Sequence, residues 1–283
     1  MIPTQRLFVL FAFLALFSAG AHAQWLNYPT PGTPRTRDGK PNLAAPAPRA
    51  ADGKPDLSGV WHVEPTSLAE MKRIYGDGVS VASVPGMEPD TVSKYAFDIL
   101  LDFKPEESLM RPESAEILRH RTPGSNPADR CLPIGMPVDA LVSEPNRIVQ
   151  SARMIVIMYE SDGTHRQIYT DGRTLPAEVA QPSWLGYSAG KWDRDTLVVD
   201  TAGFNDKTWL DLTGHPHSEA LRIEERYHRR DFGHLDVEIT FDDPQMYTKP
   251  FAIKFTEDLL ADADIFEYFC NENEKDRTHA VQK

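Results

Sequence analysis

The chain has 283 residues, 41% hydrophobic and 25% charged, enough for one large domain with a sizeable core. Its 30 Lys+Arg against 42 Asp+Glu leave a formal net charge of −12, which repels phosphate backbones and argues against a general nucleic-acid binder. No apolar run reaches the ~20 residues that span a bilayer, so an integral membrane protein is also disfavoured.

Arg6 precedes an apolar run from Leu7 to Phe17, followed by small residues and Ala21-His22-Ala23. A basic start, a short apolar core and an A-x-A site predict a secretory signal peptide over 1–23, cleaved after Ala23. Export places the protein in the periplasm or outside the cell, with no membrane segment once the signal is removed. Cys131 and Cys270 are then the only two cysteines in an oxidising compartment, and a bridge between them is expected rather than two buried thiols. It would close a loop of about 140 residues, worth up to roughly 5 kcal/mol in the chain-entropy model.

Residues 24–56 carry seven prolines and an internal echo, Asp38-Gly39-Lys40-Pro41 and Asp52-Gly53-Lys54-Pro55. Each copy joins a turn dipeptide to a proline and continues neither a helix nor a central strand. The segment reads as an extended arm without a periodic apolar face, dispensable for folding. Residues 57–283 read as one β-barrel domain with a helical and irregular insert over 66–122.

Gly59 to Val63 is the first predicted strand. Ser67 and Glu70 have capping-box spacing ahead of Met71 to Tyr75. Val92, Tyr95, Ala96, Ile99, Leu100 and Phe103 recur at helical spacing, and Pro112 can open a short helix through His120. Five prolines between 123 and 145 then predict loops.

From Arg147 the pattern becomes β. Strands are predicted over 148–159, 165–170, 184–192, 196–201, 221–230, 235–241, 251–256 and 265–270, joined by turns without intervening helices. The fold class is therefore mainly β, an antiparallel meander closed as a barrel or stacked as a sandwich. One hairpin can be registered on paper. A loop at Asp231-Phe232-Gly233 sets Arg226 opposite Glu238 and His228 opposite Asp236. On the other face it sets Tyr227 opposite Val237 and Ile223 opposite Phe241. Complementary pairs then appear on both faces, the charged face being read as solvent-exposed, and a one-residue slip destroys both sets.

The stretches Arg166-Gln167-Ile168-Tyr169-Thr170-Asp171-Gly172-Arg173, Pro182-Ser183-Trp184-Leu185-Gly186-Tyr187-Ser188 and His215-Pro216-His217-Ser218-Glu219 resemble an uncharacterised family of secreted bacterial hypothetical proteins. That resemblance implies export and carries no activity. Leu57-Ser58-Gly59-Val60-Trp61 is similar to the Gly-x-Trp first-strand signature of lipocalins, which implies a lipocalin-like barrel. The insert at 66–122 departs from a standard lipocalin.

The sharpest chemical cluster is His215-x-His217-x-Glu219. On a strand these three share one face, suited to proton transfer or, alternatively, to ligating a metal. Pro216 argues against a regular strand there. His165 shares a predicted strand face with Gln167 and Tyr169 that would look into a polar barrel, making His165 a further candidate acid or base. Asp171-Gly172-Arg173 is a turn in which Arg173 can fork onto a ligand carboxylate. Tyr187 and Trp209 lie among Gly, Asn, Asp and Ser, as aromatic walls of a small-molecule pocket do. P-loop and His-Glu-x-x-His motifs are absent from the sequence, which disfavours an NTPase and a zincin. No cofactor is expected.

The sequence therefore predicts an exported β-barrel enzyme acting on a small, partly aromatic or apolar molecule by His/carboxylate proton transfer, as an isomerase, lyase or hydrolase. His215, His217, Glu219 and His165 are the candidate catalytic residues; Arg173, Asp171, Tyr187 and Trp209 are the candidate binding residues. The alternatives are a non-catalytic lipocalin-like binding protein and a metal enzyme using His215, His217 and Glu219.

Overall fold

A computed structural model describes residues 29–76, 92–107, 109–178 and 181–270. The predicted signal peptide lies outside them. Nine strands form a closed barrel: β1 Gly59–Val63, β2 Asn146–Gln150, β3 Met154–Tyr159, β4 His165–Tyr169, β5 Tyr187–Asp193, β6 Thr196–Ala202, β7 Arg222–Arg229, β8 His234–Asp242 and β9 Phe251–Leu259. Each strand pairs with the next, and β9 pairs with β1. The two α-helices among the described residues, α1 Leu68–Tyr75 and α2 Pro112–His120, lie in the segment between β1 and β2.

The mainly β barrel predicted from the pattern is the fold observed, with local differences. The run 148–159 is two strands, because Ser151-Ala152-Arg153 turns the chain and the Ser151 hydroxyl donates to the Met154 carbonyl at 2.7 Å. The pair β4–β5 is parallel, whereas the other pairs are antiparallel. The long connection 170–186 carries the chain back before β5 begins, as parallel neighbours require. Residues 265–270 form no strand, since β9–β1 closure leaves the sheet no edge to accept one.

The hairpin β7–β8 has the register written from the sequence, with Arg226 opposite Glu238, His228 opposite Asp236, Tyr227 opposite Val237 and Ile223 opposite Phe241. Tyr227, Val237, Ile223 and Phe241 are buried. Ser67 caps α1 by accepting the Glu70 N–H at 3.3 Å, but the Glu70 side chain turns to Arg73 instead of closing the box. Residues 92–103 form a single 3₁₀ turn, Lys94–Ala96, and no α-helix. Two carboxylates take backbone donors that a helix would need: Asp98 accepts from Leu100 N–H at 2.8 Å and Asp211 from Ile99 N–H at 2.9 Å.

The barrel interior is filled. Trp61, Ile157, Ile168, Val199, Ile239 and Phe241 are among its buried side chains. Among them runs an ionic network. Arg166 Nη1 donates to Glu225 Oε1 at 2.8 Å and Nη2 to Glu225 Oε2, while Nη2 also reaches Thr201 at 2.6 Å and Nε reaches Ser188 at 2.9 Å. The Tyr227 hydroxyl donates to the same carboxylate at 2.7 Å. A buried pair this well hydrogen-bonded avoids the cost of a stranded charge.

The Pro-rich segment is not a straight arm. Its two Asp-Gly-Lys-Pro copies fold as matching tight loops, closed by Thr36 N–H to the Lys40 carbonyl at 2.9 Å and Ala50 N–H to the Lys54 carbonyl at 2.8 Å. In each, the preceding arginine donates into its own loop, Arg35 to the Gly39 carbonyl and Arg49 to the Gly53 carbonyl, and also reaches a distant carboxylate, Asp262 or Asp195. The stretch between the loops docks on the β7–β8 turn, where Gly233 N–H donates to Leu43 and Phe232 N–H to Ala45. A Cβ at Gly233 would strike Leu43, so this close approach needs glycine. Arg229 seals that end, its guanidinium 4.8 Å from the centre of the Trp61 ring.

Cys131 and Cys270 are joined as a disulfide, 139 positions apart, a bond characteristic of oxidising compartments. Among the described residues no helix is long and apolar enough to cross a membrane.

Candidate functional site

The connection between β6 and β7, residues 203–221, folds around one carboxylate. Asp211 Oδ1 accepts from the N–H groups of Thr213, Gly214 and His215 at 2.9–3.1 Å and from the Thr213 hydroxyl at 2.9 Å. Its Oδ2 accepts from Ile99 N–H and from His215 Nδ1, the latter at 2.5 Å. An Asp followed by Thr and Gly supplies this local turn chemistry. Gly214 sits at φ +108, and a Cβ there would lie 2.8 Å from Arg121 Cδ. That glycine lets Arg121 cross the loop, donating to the Gly214 carbonyl at 2.8 Å with its guanidinium 4.7 Å from the Trp209 ring centre.

Both oxygens of Asp211 are occupied by donors. Burial opposes its charge, but His215 and the backbone donors outweigh burial and hold its carboxyl below the usual range. Since an ionised carboxylate only accepts, His215 Nδ1 carries the proton. Burial likewise opposes the imidazolium, and Asp211 outweighs it, raising the pKa of His215. His215 Nε2 has no hydrogen-bond partner among the described residues, and 9% of the side chain remains open to solvent. Asp98 stands close by, with ligand atoms of Asp98, Asp211 and His215 within 4.8 Å of one another. Burial raises the Asp98 carboxyl above its ordinary pKa.

His217 is built differently. Its Nε2 is 2.7 Å from the Thr208 hydroxyl and its Nδ1 is 3.2 Å from the Ser218 carbonyl, so Nδ1–H donates and Nε2 accepts. Burial lowers its pKa, and both nitrogens of the neutral ring are in use. Glu219 is exposed. The alternation imagined for His215, His217 and Glu219 required a strand, whereas the chain here is loop, and the three do not present ligand atoms to one point. Trp209, expected on a pocket wall, is buried beneath Arg121 beside the His215 loop.

His165, Asp171, Arg173 and Tyr187 come together elsewhere. The inward residues of β4 are Arg166 and Ile168, so His165 and Gln167 are on the outer face, opposite to the expectation of a barrel-facing His165. The β4–β5 seam pairs only Ile168 with Ser188 and Tyr169 with Ala189. Below that pairing a groove of about 410 Å³ opens, lined by His165, Gln167, Tyr169, Trp184 and Tyr187. Tyr169 and Tyr187 stack with centroids 5.3 Å apart. Arg173 lies 3.8 Å over Tyr169, forks onto Asp171 at 2.9 and 2.7 Å, and donates to the Tyr187 hydroxyl at 2.9 Å. Asp171 already occupies the fork that the sequence reading reserved for a ligand carboxylate.

The structure thus divides the predicted residues between two places, His215 and Trp209 at the β6–β7 loop and His165, Asp171, Arg173 and Tyr187 at the seam. Asp98, Arg121 and Asp211 were not singled out by sequence reasoning; the i, i+4 spacing of Asp211 and His215 was the available signal. Comparison with family models, curated proteins and solved structures finds no match to this chain.

Proposed function

We propose that the protein is an exported, periplasmic or secreted enzyme that moves a proton on a small, partly aromatic or apolar molecule, with His215 as its acid–base group. One observation carries this reading: His215 is fixed by a saturated buried carboxylate on Nδ1, while Nε2 has no hydrogen-bond partner among the described residues and 9% of the side chain is open to solvent. Such an imidazole accepts a proton at Nε2, and Asp211 stabilises the imidazolium that forms. Asp98, with its raised pKa, supplies a second proton-transfer group, and Arg121, whose described hydrogen bond is to the Gly214 carbonyl, has further N–H groups to orient an anionic substrate group. Isomerisation, elimination and hydrolysis all fit this set.

The test is a turnover screen of small esters, lactones and enolisable aromatic ketones, followed by variants. His215→Ala is expected to lower kcat by roughly 10²–10⁴-fold with an unchanged circular dichroism spectrum. Glu219→Gln is expected to leave turnover intact. Full activity in a folded His215→Ala protein would overturn the assignment.

A non-catalytic binding function is the second reading, favoured by the aromatic walls of the seam groove. It predicts that Trp184→Ala weakens retention of an aromatic ligand while His215→Ala does not. A metal enzyme using His215, His217 and Glu219 is not supported, because His217 has both nitrogens engaged and Glu219 faces solvent.

A further inference from the structure

The seam groove on the outside of β4 and β5 keeps its rings and its polar groups apart. Tyr169, Trp184 and Tyr187 are partly buried in its wall, and His165, Gln167 and Ser183 are exposed at its rim. Its volume of about 410 Å³ lies within the ~300–1,000 Å³ of small-ligand sites. Tyr169 and Tyr187 stack 26° from parallel. Arg173 packs on Tyr169 and donates to the Tyr187 hydroxyl, so the platform is held in place by the protein's own contacts. A ligand then need not pay to order it. Lys207 stands 5.8 Å from the centre of the Trp184 ring and is not itself part of the lining.

The charge of the lining narrows the ligand. Among the described residues that line the groove there is no aspartate, glutamate or lysine. Arg166 contributes to the lining, but its guanidinium is turned into the barrel and held by Glu225, Thr201 and Ser188. Arg173, beside the groove, is forked onto Asp171. An ionic ligand would find no free counter-charge in this lining. What the rim offers is neutral and of both senses. Gln167 Oε1 accepts from the Tyr169 hydroxyl at 3.0 Å, which leaves the amide N–H groups as donors. The Ser183 hydroxyl donates to the Gly186 carbonyl at 3.3 Å, which leaves its oxygen as an acceptor. The His165 ring has no hydrogen-bond partner among the described residues, and a neutral imidazole supplies one donor and one acceptor.

A ligand that suits both parts has an apolar face for the rings and an edge of neutral groups that donate and accept. A purely aromatic molecule meets the first requirement and leaves the rim unused. It would also keep apolar surface in water along the exposed side of the groove. A sugar ring presents C–H groups on a face and hydroxyls around its edge. We propose that the seam groove binds a neutral saccharide, with a sugar ring stacked on Trp184 and Tyr187 and its hydroxyls held by Gln167, His165 and Ser183. The assignment rests on the groove being a binding site, as in the non-catalytic reading, gives it a sugar in place of an aromatic ligand, and is independent of His215.

The test titrates the purified protein by calorimetry with cellobiose, maltose, lactose and N,N′-diacetylchitobiose, and with benzyl alcohol and benzoate as aromatic comparators. At least one disaccharide is expected to bind with Kd of about 10⁻⁴–10⁻³ M, the weak affinity of a neutral ligand in an open groove, and more tightly than either comparator. Trp184→Ala should weaken that binding about tenfold, and Trp184→Phe should restore much of it. Should Trp184→Ala not fold, Gln167→Ala on the exposed rim tests the hydroxyl contacts and should weaken binding severalfold. His215→Ala should leave the saccharide affinity unchanged. A comparator that binds more tightly than every disaccharide would overturn the sugar and leave the groove a binding site. Failure of all six probes to bind would overturn both. Saccharide affinity that persists in folded Trp184→Ala, or that is lost in folded His215→Ala, would overturn the placement in this groove.

Discussion

Glu257 is a carboxyl on an inward position of β9, opposite Leu235 and Val63 in the ladder. It is buried, and its described hydrogen bond is from Asn146 Nδ2 at 2.9 Å. Burial, reinforced by the Glu225 charge and only partly offset by Asn146, raises its pKa from 4.5 to about 7. The folded state therefore keeps a proton that the unfolded chain releases between pH 4.5 and 7, and stability falls as pH rises through that window. At 1.36 kcal/mol per pKa unit, the accumulated cost above pH 7 is about 3 kcal/mol. Glu257→Gln retains shape and hydrogen bonding and cannot ionise. It should match the wild type near pH 4 and exceed it by about 3 kcal/mol at pH 8. Paired urea denaturations across this range measure the difference directly, because the other titrating groups are common to both proteins. A variant-minus-wild-type difference that is flat with pH, or that falls between pH 4 and pH 8, would refute the assignment of a neutral buried carboxyl.

Four further outcomes follow from the same contacts. Arg166→Met strands Glu225 in the interior and should cost about 3–5 kcal/mol in chemical denaturation, while Arg166→Met with Glu225→Leu should recover most of it. A chain beginning at Ala51 loses the Leu43 and Ala45 acceptors and the Arg49–Asp195 pair, so its melt should fall measurably below that of the chain beginning at Gln24; coincident melts would show the docked loops to be idle. Alkylation of native, unreduced protein should leave Cys131 and Cys270 unmodified, and reduction should lower Tm. The stabilisation that His215 draws from Asp211 should be complete below about pH 6.5 and disappear as pH rises through the raised folded pKa, a dependence that Asp211→Asn removes and that an NMR titration of the imidazole follows.

The elements legible in the sequence are those whose evidence is local and doubled. Tyr227, Ile223, Val237 and Phe241 give one face of the β7–β8 hairpin, and Arg226, His228, Asp236 and Glu238 give the other. Only one register satisfies both, and the short turn leaves little freedom. Residues 92–103 show the opposite case. Their apolar spacing marks burial correctly, since Val92, Tyr95, Ala96 and Ile99 are buried, but irregular chain on a core produces the same spacing. What prevents the helix is Asp211, 112 positions from the Ile99 N–H it binds. The parallel seam was equally hidden, because the turn residues in 170–186 do not reveal to which end of the barrel they return the chain.

Side-chain direction in β4 was lost for a related reason. His165, Arg166, Gln167, Ile168 and Tyr169 contain only one aliphatic residue, so hydrophobic alternation cannot tell inside from outside. Arg166 goes inward because Glu225, 59 positions later, meets it with Thr201, Ser188 and Tyr227 in place. An ionic core of this kind bears on function as well as on folding. The Gly-x-Trp resemblance implies a barrel, and barrels of this shape often enclose a ligand, yet this interior is occupied by Trp61, Phe241 and a bidentate ion pair whose partners are satisfied. Admitting a ligand there would strip hydrogen bonds from two buried charges, at a cost of several kcal/mol. The barrel therefore serves as a rigid frame, and the proposed chemistry sits in the β6–β7 loop, where His215 Nε2 has no hydrogen-bond partner among the described residues.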